Sequence, residues 1–164
     1  MEHCDECGFT YDLAEAPSSG PTIVGLVDEL AAVLTDPAAD LRTRRRPESW
    51  SPLEYGCHMR DVLLVQRERV LAARRSDTPS FAPMGRDERV DHDGYAEQSP
   101  SDVARQARDA AGLFANVLAR LGGDWERTVV YNYPAPFERS LRWVAVHTVH
   151  EMHHHLLDVR RQLA

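Results

Sequence analysis

Five of the eight histidines in this 164-residue chain fall between positions 147 and 155, in the run HTVHEMHHHLLD. Within it, His150-Glu151-Met152-His153-His154 reads H-E-x-x-H, and two imidazoles at that spacing on a helix can bind one zinc ion. A helix turns about 100° per residue, so His154 lies about 40° from His150 and about 6 Å further along the axis, close enough to close on a single ion. His147 and His154 are about 10.5 Å apart on that axis, too far to share it. His155 falls about 140° from His150 and is expected to face the surface. A third ligand must come from elsewhere in the chain.

The metalloprotease version of the motif needs Gly three and His six residues after its second histidine, where this chain has Leu157 and Arg160. An edge strand to hold a peptide is also scarcely offered. The upstream histidines are His3, His58 and His92. His58 stands in EYGCHMRD, with Glu54 and Asp61 at i−4 and i+3 on its own helix face, where carboxylates can orient an imidazole ring. His58, His150 and His154 are therefore the candidate metal ligands.

A second cluster begins the chain. Cys4-Asp-Glu-Cys7-Gly has the form of half a zinc knuckle, which needs two more ligands. Cys57 is the one other thiol, and it faces a helix sector about 100° away from His58. Cys4, Cys7 and Cys57 with a histidine such as His153 or His147 would complete a four-ligand structural site. The competing readings are a redox dithiol and cysteines with no special role. A thioredoxin-like dithiol is disfavoured, because no strand-helix context surrounds the pair.

Four helical segments must position these residues. The first opens at Ser18-Ser19-Gly20-Pro21, carries Ile23, Leu26, Val27, Leu30 and Leu34 on one face, and ends at Asp36-Pro37. The second opens at Ser51-Pro52-Leu53-Glu54, a capping box with proline at the first helical position, and runs to Arg75. A polar stretch from Ser76 to Pro100 follows without periodicity. The third helix runs from Ser101 to Gly122-Gly123, Thr128 to Tyr131 has the form of a short strand, and the fourth helix spans Phe137 to Gln162. The expected fold is all-α: one four-helix-bundle domain over 1–164 with long connections, residues 1–18 forming a short CxxC extension.

Bulk properties narrow the partners. The net charge of −7 disfavours a nucleic-acid backbone, and the basic run Arg42 to Arg46 reads as a solvated turn. No apolar run approaches the roughly 18 residues of a membrane span. The segment MEHCDECGFTYD lacks the basic and apolar regions of a signal peptide, so a cytoplasmic location is expected. All 19 basic residues are arginine, which excludes Schiff-base chemistry on lysine.

The pairing of WSPLEYGCHMRD with HTVHEMHHHLLD on a helical bundle resembles the DinB-like superfamily, which includes mycothiol-dependent maleylpyruvate isomerases and bacillithiol transferases. The resemblance covers nearly the whole chain after the N-terminal segment. It implies a metal triad at His58, His150 and His154, holding zinc or nickel with open positions, and often a homodimer. It also implies a transferase or isomerase that joins a small-molecule substrate to a low-molecular-weight thiol, mycothiol in the nearest branch. Three neutral imidazoles leave the ion's charge uncompensated, so hydroxide or a thiolate would be favoured as fourth ligand. Arg139, Trp143 and His147 continue the ligand stripe up the fourth helix. Arg139 could clamp a carboxylate or be a surface charge, and Trp143 could wall the pocket or belong to the core. Tyr131 and Tyr133 are candidate rim residues by chain proximity. The alternatives are a non-catalytic metal-binding or stress-response module, and a hydrolase with Glu151 as base.

Overall fold

The computed structural model describes residues 2–132 and 134–164. Five helices are present among them: α1 (Ser19–Leu34), α2 (Pro52–Arg75), the short α3 (Arg86–His92), α4 (Pro100–Ala119) and α5 (Leu141–Leu163). Their starts are set locally. The Ser51 hydroxyl accepts from the Glu54 N–H while the Glu54 carboxylate accepts from the Ser51 N–H at 2.7 Å, with Pro52 at the first helical position. Ser99 caps α4 and Ser140 caps α5, each accepting from the backbone N–H three residues on.

α1 and α2 each pack against both α4 and α5, so the consecutive helices α1 and α2 lie across the bundle diagonal and barely touch. The long connection from Thr35 to Ser51 permits this departure from up-down topology. Ile23, Val27 and Leu30 of α1 meet Phe114 and Leu118 of α4 in the core, with Leu63 of α2 and Met152 and Leu156 of α5 also buried. Each such side chain contributes about 1.5–3 kcal/mol through burial. Where α2 does approach α1, a Cβ at Gly56 would stand 2.9 Å from Leu34 Cδ1. Glycine there lets the start of α2 settle, two residues before His58.

A small sheet covers part of the bundle. Its strands are β1 (Ser80–Phe81), β2 (Thr128–Asn132) and β3 (Pro136–Ser140), in the order β1-β2-β3. β1 runs parallel to β2, and β3 antiparallel to it. The helix expected from Phe137 thus begins at Leu141 instead, and Arg139 belongs to a strand, paired with Val129. Cross-strand pairing holds Phe137 to Ser140 extended until the Ser140 cap starts the helix. The polar Ser76–Pro100 stretch also gains order from α3 and from Tyr95, whose buried hydroxyl donates to Asp61 Oδ2 at 2.6 Å.

The N-terminal segment folds back on α5. Cys4 N–H donates to Phe9 O and Gly8 N–H to Cys4 O, both at 2.8 Å, and Gly8 has φ +74. The ring of Phe9 then lies 5.4 Å from that of His150. Among the described residues no helix is long and apolar enough to cross a membrane.

Candidate metal centre

Two i,i+4 pairs are interleaved on α5, His150 with His154 and Glu151 with His155. One residue of offset rotates the second pair by about 100°, and the two pairs face different neighbours. The ligand atoms of His58, Glu151 and His155 lie within 4.8 Å of one another, as do those of Cys4, Cys7, His150 and His154. His58 thus stands with Glu151 and His155 rather than with His150 and His154, while two further sets, His147 with His150 and Glu151 and His154 with His155 and Asp158, bridge these two groups. His155, expected at the surface, has a side chain only 12% exposed, and its ring is 4.8 Å from that of His58. The expectation failed because it started from His150 as reference, whereas the packing of α5 on α2 turns the Glu151 and His155 face toward His58.

In the first group, His58 is buried and its Nδ1 has no hydrogen-bond partner. Burial, followed by the nearby His155, pushes its pKa down to about 3, leaving the neutral imidazole that a metal requires. Neither flanking carboxylate orients it. Glu54 is held by Arg44, whose Nε donates to Oε2 at 2.8 Å, and Asp61 by Arg60, Arg89 and Tyr95. His155 Nδ1 lies 3.1 Å from Asp158 Oδ2, which leaves Nε2 pointing to Glu151 Oε2 at 3.6 Å. Burial opposes charge on His155, but Asp158 and Glu151 outweigh it and raise the pKa to about 9. Burial likewise opposes charge on Glu151, yet His150, His155 and His147 hold its carboxyl well below the usual range. Two imidazoles and one carboxylate form a donor set suited to a divalent ion, whose binding would displace the proton from His155.

In the second group, Cys4 Sγ stands 3.7 Å from His154 Nδ1. The backbone N–H of Cys7, then the His150 side chain, lower the Cys4 pKa to about 6, while burial raises that of Cys7. Both ring nitrogens of His150 are buried without a hydrogen-bond partner. His154 Nε2 faces Glu6 Oε2 at 3.6 Å and Asp158 Oδ2 at 3.7 Å. Cys57 is not part of this group. It is buried in α2 near Tyr95 O and Gln98 Oε1, and burial pushes its thiol up to about 12. His147 and His153, the histidines expected to complete the cysteine site, are replaced there by His150 and His154.

A profile of the DinB superfamily matches residues 23–159. The chain belongs to the DinB superfamily. No protein with a curated description matches its sequence significantly. Among solved structures, the chain is similar to YfiT from Bacillus subtilis, described as a probable metal-dependent hydrolase with an unusual four-helix bundle topology. The two share 14% identity, with a TM-score of 0.75 over 99% of this chain and 91% of that one. At that identity the likeness establishes the bundle fold. The all-α expectation and the resemblance seen in the two histidine motifs both agree with these matches.

The first group of this DinB-superfamily chain opens on a cavity of about 710 Å³, lined among others by His58, Glu151, His147, Arg69, Arg139 and Trp143. Arg139 reaches it from β3, its guanidinium 4.8 Å from the Trp143 ring. Trp143 stacks on His147 at 4.3 Å and so forms wall rather than core. His147 Nδ1 and the Tyr11 hydroxyl share a hydrogen bond at 2.8 Å, and His147 Nε2 stands 3.7 Å from Glu151 Oε1. Tyr131 rims the cavity, donating to Gln66 Oε1, whereas Tyr133 lies outside the described residues.

Arg69 has no counterpart in the sequence reading. It is 9% exposed, lies over Tyr131 at 4.5 Å, and donates to Gln66 Oε1 at 3.2 Å. Among the described residues no carboxylate pairs with it. Nothing in the run VQRERV distinguishes Arg69 from Arg67, which is more exposed, so no sequence signal marks it. Glu151 and His155 did have a signal: their spacing equals that of His150 and His154.

Proposed function

We propose that the protein is a metal-dependent enzyme that activates a small nucleophile at His58, Glu151 and His155 and directs it at an anionic small molecule held by Arg69. One observation carries this reading: His58 and Glu151, grouped with His155, line a cavity that also contains the buried Arg69 guanidinium, with which no carboxylate among the described residues pairs. An ion held by three protein donors would keep a coordination position free, as catalytic rather than structural sites do. A divalent ion held there would act as a Lewis acid and lower the pKa of water or a thiol.

The chain's own residues supply the rest. Glu151 acts as a ligand, so it is not the base of the reaction. His147, beside Glu151 at the cavity wall and hydrogen-bonded to the Tyr11 hydroxyl, is the proton-transfer group in this reading. Arg69 offers a planar fork to a carboxylate or similar anion, and Gln66 and Tyr131 fix its direction. Trp143 and Tyr131 shield the reacting atoms from bulk water.

Hydrolysis is the reaction this donor set favours. Glu151 already compensates part of the ion's charge, which weakens the demand for a thiolate, and the similar protein YfiT is described as a probable hydrolase. Thiol transfer with mycothiol is the second reading, favoured by a cavity large enough for two small reactants. Zinc suits either, and nickel is the alternative. The test is a metal-loaded sample assayed on anionic esters and amides without thiol, and on electrophiles with mycothiol, bacillithiol or glutathione. Turnover without thiol supports hydrolysis, and strict thiol dependence supports transfer. Turnover undiminished in His58→Ala would overturn both.

A further inference from the structure

We infer that Cys4, Cys7, His150 and His154 form a second, tetrahedral metal site suited to zinc, which clasps the N-terminal segment onto α5 and thereby completes the wall of the cavity. The inference stands whether or not the first group is catalytic.

The donor geometry fits. Bond lengths of about 2.3 Å to sulfur and 2.0 Å to nitrogen at tetrahedral angles give a sulfur-to-nitrogen separation of about 3.5 Å. Cys4 Sγ and His154 Nδ1 are 3.7 Å apart, and all four donors fall within 4.8 Å of one another. Two thiolates would neutralise the ion, and four protein donors leave no open position, so the site is structural by composition.

The backbone is built for it. Cys-x-x-Cys closes into a tight turn through Gly8 N–H to Cys4 O, and Gly8 takes a positive φ that a side chain would disfavour. Neither buried ring nitrogen of His150 makes a hydrogen bond, the Glu151 carboxylate standing 3.6 Å from Nδ1, and an ion would satisfy one of them. His154 turns its other nitrogen to Glu6 and Asp158, the carboxylate contact that orients a ligating imidazole.

Clasping has a consequence for the cavity. Glu2 and Tyr11 flank the cysteine turn and line the cavity, where Tyr11 meets His147 and Glu2 accepts from Trp143 Nε1 at 3.0 Å. Asp158 also links the groups, since it contacts both His154 and His155. Release of the N-terminal turn would withdraw Tyr11 and Glu2 together.

The experiment uses the full chain with the first group removed by His58→Ala/His155→Ala. That protein should retain about one zinc ion per chain, and its cobalt form should show a sulfur-to-cobalt charge-transfer band in the near ultraviolet. Adding Cys4→Ser/Cys7→Ser should abolish both signals. A mercurial reagent on the unmutated protein gives an answer that does not depend on variants folding. It should release about one zinc ion as two thiols react and shift Trp143 fluorescence to the red, with Cys57 protected by burial. Cobalt bound without the charge-transfer band, or zinc unmoved by the mercurial, would overturn the site.

Discussion

The two ligand groups of α5 share one helix turn and differ in what faces them. His58 comes from α2, inside the bundle, and its group has three donors and a cavity beside them. Cys4 and Cys7 come from a local turn outside the bundle, and their group has four donors. A position left open lets a substrate in, whereas a closed shell holds two pieces of chain together. On the proposed reading, the same i,i+4 spacing would serve reactivity on one face of α5 and attachment on the next. The faces are coupled, because Glu151 lies 3.6 Å from His150 and Asp158 touches a histidine of each group.

The largest effect should separate the groups outright. His58→Ala, Glu151→Gln and His155→Ala are each expected to lower turnover by about 1000-fold or more, as loss of transition-state charge stabilisation does. Metal analysis should show that the cysteine group keeps its ion. Equal loss of both ions from each variant would mean that the groups form one inseparable site.

Removing the closed group should cost stability more than chemistry. Cys4→Ser/Cys7→Ser is expected to destabilise the fold by about 3 kcal/mol, seen as a fall in Tm of roughly 10 °C by calorimetry. Unchanged Tm with unchanged zinc content would reduce the cysteines to ordinary surface residues.

A smaller effect should isolate the anion anchor. Arg69→Met should raise KM by about 10- to 100-fold while leaving metal content intact, the range of a lost charged hydrogen bond. Arg139→Ala is expected to do less, because its guanidinium lies over Trp143 and Phe137 at the rim. If Arg139 dominated KM, the substrate would bind nearer β3 than the metal group.

The smallest effect concerns the start of α2, which sets His58 in place. Burial works against charge on Glu54, but Arg44 and the Ser51 N–H override it and keep its pKa below the ordinary carboxylate value. A depressed folded pKa contributes stability above the unfolded pKa, and that stability is lost as pH falls through the folded value. Glu54→Gln should therefore destabilise by about 1 kcal/mol near neutral pH. The difference from the unmutated protein should shrink through the acid range below the ordinary carboxylate pKa. Denaturant titrations across that range would show it, and a gap independent of pH would assign the effect to shape alone.

What the sequence by itself determined is whatever depends on neighbours along the chain. Ser51-Pro52 with Glu54 started α2 where the capping box indicated, and Asp36-Pro37 lay just beyond the end of α1. The periodicity of Ile23, Val27, Leu30 and Leu34 gave the buried face of α1, and the CxxC-Gly run gave the turn that brings two sulfurs together. The histidine and cysteine types gave the chemistry. The pairing of ligands came only from the tertiary structure. Periodicity fixes the angle between His150 and His155 on their own helix, but not which sector meets α2 and which meets the N-terminal turn. Two i,i+4 pairs one residue apart are equivalent until a partner occupies one side. Arg139 was misplaced on a helix for a related reason, since its strand exists through pairing with Val129, ten residues back in β2. Arg69 became distinctive only when folding buried it without an anion, because burial is a property of the packed bundle and not of the run VQRERV.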